Sequence, residues 1–117
     1  MAHPIFTIKK RETFLKVREK GRFLKGKNIN IQLLTNQSLE NSIGIGYTAT
    51  KKLGKANIRN KAKRIMRELA KKILIKGKIN SYYVLIAKTK IFEIAFEAQK
   101  NELKKLISWL EKYLIVY

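Results

Sequence analysis

The sequence contains no cysteine, no aspartate, one histidine (His3) and one proline (Pro4) in 117 residues. The lack of cysteine excludes disulfide bonds. With a single histidine, it also excludes a Cys/His zinc site, a cysteine nucleophile and a Ser-His-Asp triad. All eight acidic residues are glutamates, and they are scattered along the chain. A metal-dependent nuclease needs clustered carboxylates, so the sequence predicts no active site built from protein side chains.

Long hydrophobic runs are also missing. The longest uninterrupted apolar stretch, residues 82–87, has six residues, whereas a spanning helix needs about 20. The N-terminus lacks the residue order of a signal peptide. We therefore expect a cytoplasmic protein with no membrane association. Without internal repeats or a Pro- or Ser-rich linker, residues 1–117 are predicted to form a single domain.

Positive charge is what the sequence has in excess. Lysine and arginine number 27 against eight acidic residues, which gives a net charge of +19. Residues 9–27 carry +7 and residues 51–78 carry +11, while residues 28–50 and 79–117 are close to neutral. So large an excess of one sign repels itself in a compact chain. A polyanionic partner is therefore expected, with nucleic acid as the first candidate.

Hydrophobic periodicity predicts a mixed succession of helices and strands. A first helix is expected from a Thr7 cap to about Lys20, with Gly21 ending it. Alternating or continuous apolar residues predict three strands, at 28–33, 43–50 and 82–87. A last helix is expected from Glu93 onward, with one apolar stripe formed by Leu103, Leu106, Ile107, Leu110 and Leu114.

The strongly basic stretch 51–78 predicts an amphipathic helix with Asn57 as its N-cap. Its apolar positions fall within about 100° of arc, at Ile58, Ala62, Ile65, Met66, Leu69 and Ile73. Arg59, Lys63, Arg67 and Lys71 follow one another at four-residue spacing on the neighbouring face. Like charges at this spacing destabilise a helix by roughly 0.2–0.5 kcal/mol per pair. This arrangement favours a face that binds a polyanion over one that is merely solvated.

Residues 50–64, Thr-Lys-Lys-Leu-Gly-Lys-Ala-Asn-Ile-Arg-Asn-Lys-Ala-Lys-Arg, resemble the signature of the bacterial ribonuclease P protein subunit. In that family a strand ends in Ser/Thr-Lys-Lys, and a glycine-containing turn leads into a helix opening with Arg-Asn-Arg. The resemblance implies an α/β (α+β) two-layer sandwich of order αβββαβα. It also implies a four-stranded sheet and a left-handed βαβ crossover through the basic helix. The strand not found by periodicity is then expected within residues 22–27 or 28–50.

The resemblance also implies a function. The chain would be the RNA-binding subunit of an endoribonuclease, a protein monomer within a ribonucleoprotein. Its partners would be a catalytic RNA and precursor tRNA, whose 5′ leader the holoenzyme removes. The hydrolytic site and its Mg²⁺ ions would belong to the RNA.

The family's site residues carry over to two surfaces of this chain. The surface facing the catalytic RNA would comprise Lys51, Lys52, Arg59, Asn60, Lys61, Lys63, Arg64 and Arg67. A cleft for the leader would be lined by Phe14, Val17, Thr48, Thr50 and Ala87. Lys61 replaces the usual second arginine of the signature, and Arg18 and Gln32 stand where the family often has aromatic residues.

Two other functions are compatible with the charge. A small basic ribosomal protein would explain the composition, but not the spacing of the lysine, glycine and arginine residues in 50–64. A DNA-binding protein could use the basic helix, although no heptad repeat or helix-turn-helix partner accompanies it.

Overall fold

The computed structural model describes the backbone of residues 3–115 and the side chains of residues 3–110 and of Lys112. Five strands form one mixed sheet of spatial order β1-β4-β5-β3-β2. The strands are β1 Ile5–Thr7, β2 Arg22–Leu24, β3 Ile29–Leu34, β4 Ile43–Thr48 and β5 Ser81–Ala87. The helices are α1 Arg11–Lys20, α2 Ala56–Ile73 and α3 Phe96–Ile115. Short 3-10 turns lie at Lys51–Leu53, Leu74–Lys76 and Thr89–Phe92.

The mixed α+β fold class is confirmed, with five strands rather than four. Strand β2 is the missing element, and it lies in the first of the two expected ranges. The additional strand is β1, which pairs in parallel with β4. Thr7 belongs to β1 and pairs with Ile45, so it does not cap the first helix. That helix spans Arg11–Lys20, and Gly21 follows it as predicted, donating its N–H to Val17 O.

Strand β5 lies at the centre of the sheet, parallel to β4 and antiparallel to β3. Its continuous apolar sequence reflects this position, because both of its faces are covered. Tyr83, Leu85 and Ala87 face α2 and α3 and belong to the main core. Val84 faces the other way and packs with Val17 of α1 and Ile8. The sheet therefore carries two helices on one face and α1 across the other.

The connection from β4 to β5 runs through α2, and the two strands are adjacent and parallel. The handedness of this crossover remains a prediction. The helix starts after Lys55 rather than at the expected cap Asn57. Gly54 sets this start, because its φ of 145° suits glycine and a Cβ there would lie 3.1 Å from Ile58 Cδ1.

Within residues 3–115, no helix has the combination of length and apolar character required to span a membrane.

Candidate nucleic-acid interface

An open cleft of about 440 Å³ lies between α1 and the part of the sheet that α1 leaves uncovered. It is lined by Phe14, Leu15, Arg18, Gln32, Tyr47, Thr48, Ala49, Thr50, Lys63, Val84 and Ile86. The floor comes from β3, β4 and β5, one wall from α1, and the opposite rim from α2. The cleft therefore depends on five elements of the chain that only the fold brings together.

Gly46 allows α1 to sit close to the sheet. A Cβ at this position would lie 2.5 Å from Cε1 and 2.8 Å from Cζ of Phe14. The Phe14 ring thus rests directly on the β4 backbone, with one side in the small core beneath α1 and the other on the cleft. In the next row of the sheet, Thr48 and Ile86 are register partners and form the adjoining floor.

Three of the five residues predicted for this cleft line it: Phe14, Thr48 and Thr50. Val17 does not, because it is completely buried beneath α1. Ala87 does not either, since it lies in the core on the opposite face of the sheet. Side chains alternate along a strand, so Ile86, and not its neighbour, is the residue of β5 that reaches the cleft.

Tyr47 is a lining residue that sequence reasoning missed. Its ring lies 5.8 Å from the guanidinium carbon of Arg67, a distance typical of a cation–π contact. Burial raises the pKa of the Tyr47 hydroxyl, and the nearby Arg67 charge lowers it by a smaller amount. Its position as the last aromatic residue of β4, just before the Thr-Ala-Thr-Lys-Lys segment, was the available signal.

The two departures from the family pattern both lie in the cleft. Arg18 is exposed on the α1 wall, and Gln32 is buried in the floor. Phe14 still places an aromatic ring in the cleft beside cationic side chains, whereas the Tyr47 ring packs on the α2 side of β4, next to Arg67. Aromatic rings beside positive charge are the combination that binds single-stranded nucleic acid, since bases stack on the rings and phosphates meet the cations.

One edge of α2 forms a basic ridge of Arg59, Lys63 and Arg67. Successive members are four residues apart and are therefore offset by only about 40° around the helix. Lys63 lines the cleft and Arg67 lies over Tyr47, so the ridge and the cleft are continuous. The Nε of Arg59 is buried and has no hydrogen-bond partner among the described residues.

The remaining predicted RNA-facing residues are distributed unevenly around this ridge. Asn60 and Arg64 are exposed on the outer face of α2, and Lys51 and Lys52 are exposed in the turn before it. Lys61 differs, because it lies about 200° around the helix from Arg59. Its Nζ is 5.8 Å from the centroid of the Phe92 ring. The structure therefore places Lys61 on the other flank of α2, apart from the ridge.

Metal-binding side chains are not gathered at this interface. Over the part of the chain that the structure describes, no three His, Cys, Asp or Glu residues come together in a group that could hold a metal ion. What the interface offers is hydrogen bonds, stacking surfaces and positive charge.

Comparison with known proteins gives a consistent result. The family model described as Ribonuclease P matches residues 5–111. The ribonuclease P protein component of Thermoanaerobacter sp. (strain X514) is 33% identical over 110 residues, which cover 92% of this chain and 90% of that protein. That of Bacillus pumilus (strain SAFR-032) is 32% identical over 99 residues, covering 85% and 82%.

Solved structures share the fold. The RNase P protein of Staphylococcus aureus superposes with a TM-score of 0.74 at 24% identity, covering 88% of this chain and 93% of that one. The RNase P protein from Thermotoga maritima gives a TM-score of 0.74, also at 24% identity, covering 87% and 94%.

Proposed function

The chain belongs to the ribonuclease P protein family, and from that premise we propose that it binds both the catalytic RNA and the precursor tRNA of the holoenzyme. The basic ridge and the exposed cations around it contact the catalytic RNA. The cleft holds the single-stranded 5′ leader of the precursor. The protein thereby takes part in removing that leader.

The observation that carries this proposal is the continuity of the cleft with the ridge. Lys63 belongs to both surfaces, and the next ridge residue, Arg67, contacts the ring of Tyr47 in the strand that also supplies Thr48 to the cleft. An RNA bound along α2 and a leader lying in the cleft would therefore be held side by side. This proximity converts the encounter of leader and catalytic RNA into a step within one complex.

The protein's contribution is binding and orientation. Cations along α2 replace counterions on the RNA backbone, which supplies affinity without reading sequence. Phe14 offers a face on which any base can stack, so the cleft tolerates leaders of different sequence. Mg²⁺ ions held by the catalytic RNA and the substrate would supply the hydrolytic chemistry.

The proposal is tested by comparing substrates with and without a leader. In the holoenzyme assembled with the matching catalytic RNA, Phe14→Ala should weaken binding of precursor tRNA about tenfold, because one base–aromatic stack is worth ~1–3 kcal/mol. Binding of mature tRNA should not change, since it has no leader to place in the cleft. The measurement is the Kd of the holoenzyme for both RNAs, with a thermal melt of each protein variant.

Phe92→Ala is the matched control, because Phe92 is also a phenylalanine but is exposed and lies outside the cleft. It should not discriminate between the two RNAs. If Phe14→Ala weakens the binding of both RNAs equally, the ring serves only the packing of α1, and the leader-binding role is refuted. A wild-type protein that neither binds the catalytic RNA nor promotes leader removal would refute the proposed function as a whole.

A further inference from the structure

A second groove, of about 970 Å³, lies between α3 and the C-terminal end of α2 with the turn Leu74–Lys76. It is lined by Lys71, Lys72, Ile73, Ile75, Lys76, Lys100, Lys104, Ile107, Ser108 and Lys112. Six of these ten residues are lysines, and three isoleucines supply the apolar part. We refer to this surface as the lysine groove.

Two rows of cations face each other across the lysine groove. On α3, Lys100, Lys104, Ser108 and Lys112 follow at four-residue intervals, which places them in one stripe along the helix. The other wall comes from the last turn of α2 and the residues just after it. The two rows therefore border the groove from opposite sides.

Most of this charge is not neutralised within the protein. Lys100 Nζ lies 3.0 Å from Glu97 Oε1, and Lys71 Nζ lies 3.7 Å from Glu68 Oε1. The other four lysines have no ion pair among the side chains that the structure describes. Positive charges this concentrated repel one another, and a polyanion in the groove would remove that repulsion.

The lysine groove is separate from the cleft. The two share no lining residue, and they lie on opposite sides of the sheet, since α1 covers one face and α2 and α3 cover the other. A ligand in the groove is therefore not the leader strand that the cleft is proposed to hold.

We propose that the lysine groove binds the sugar–phosphate backbone of a second segment of the catalytic RNA. Phosphates would lie between the two rows of lysines, and the sugars would contact the isoleucine floor. This inference rests on the proposed function, and it adds a contact on the face of the protein opposite the leader cleft. The protein would then be held by RNA on two sides.

Directed hydroxyl-radical cleavage tests the proposal by position. The native chain has no cysteine, so a single introduced cysteine can carry an iron chelate at a chosen point. Ser108→Cys places the chelate in the groove, and Ser38→Cys places it on the exposed turn between β3 and β4. In the assembled holoenzyme, Ser108→Cys should cleave a discrete set of nucleotides in the catalytic RNA that Ser38→Cys leaves intact. No cleavage from Ser108→Cys, in a complex that still assembles, would overturn the proposal.

Charge removal gives an independent measurement. The pair Lys76→Ala/Lys104→Ala removes one cation from each wall, whereas the control Lys16→Ala/Lys20→Ala removes two exposed cations from α1. The groove variant should bind the catalytic RNA roughly 3- to 10-fold more weakly, with a log–log salt slope smaller by about one to two. In the control variant, the salt slope should change by less than half as much.

The outcomes separate the two proposals. If the wild-type protein binds the RNA and supports leader removal while the groove variant matches the control, the groove proposal alone is refuted. If the groove variant instead loses binding of a poly-glutamate peptide but keeps full RNA binding, the groove serves an acidic protein partner, and the proposal is again refuted.

Discussion

Gly46→Ala should destabilise the protein through a single contact, the one between the Phe14 ring and the β4 backbone. The backbone φ of Gly46 is not in the left-handed region, so alanine introduces no conformational strain. The added Cβ would nevertheless lie 2.5 Å from Cε1 of Phe14. Carbon atoms prefer to be about 3.5–4.0 Å apart, so the ring or helix α1 must move by at least ~1 Å.

Overpacking of this kind costs about 1–3 kcal/mol of unfolding free energy. For a chain of this size, the melting temperature should fall by roughly 4–12 °C. The same substitution should behave differently once the ring is removed. In a Phe14→Ala background, the methyl group meets empty space, and replacing glycine within a strand becomes neutral or stabilising by up to ~1 kcal/mol.

The assay is urea unfolding of the wild-type protein, both single variants and the double variant, which together form a double-mutant cycle. The expected coupling free energy between Gly46 and Phe14 is about 1–3 kcal/mol. If Gly46→Ala costs the same in both backgrounds, the ring does not rest on β4, and the account of how the cleft is shaped is wrong.

Three further substitutions test other parts of the structure. Arg64→Ala should leave the melting temperature unchanged, because the side chain is exposed. It should lower the log–log salt slope of catalytic-RNA binding by about one, and an unchanged slope with full affinity would show that Arg64 is only solvated. Arg67→Ala should raise the pKa of the Tyr47 hydroxyl further, since the arginine charge lowers it; the ¹³Cζ shift of labelled tyrosine followed against pH measures this, and a lower pKa would contradict the contact. Gln99→Leu should cost about 2–4 kcal/mol in urea unfolding, because buried Gln99 accepts from Asn28 and donates to two backbone carbonyls; a loss below ~0.5 kcal/mol would mean that these bonds are replaced by water.

The elements with long periodic sequences were predictable. Strands β3, β4 and β5 and the body of α2 all follow from alternation or from apolar residues on one helix face. Strand β1 was not, because three residues carry no measurable period and its pairing depends on the free edge of β4. The start of α2 was misplaced by two residues, since Gly54 fixes the turn there in preference to a side-chain cap.

The residues of the candidate site also fall into those that the sequence pattern could predict and those that it could not. Four-residue spacing is visible in sequence, so the ridge Arg59, Lys63 and Arg67 was predicted, and the structure shows it to be continuous. Which side of an element faces a cleft is not visible without the fold. Val17 and Ala87 were assigned to the cleft, but Val17 points into the small core beneath α1 and Ala87 into the core on the opposite face of the sheet.

Helix α1 is connected at its two ends to strands at opposite edges of the sheet. The chain enters it from β1, which pairs with β4, and leaves it into β2, which pairs with β3. Strands β1 and β2 are the two outermost strands, so α1 crosses the full width of the sheet between them. Such a wall cannot swing open as a lid. The cleft is therefore preorganised. An RNA strand that binds there does not incur the entropic cost of ordering a protein loop around it. Its association rate should be governed by diffusion and charge rather than by a conformational step.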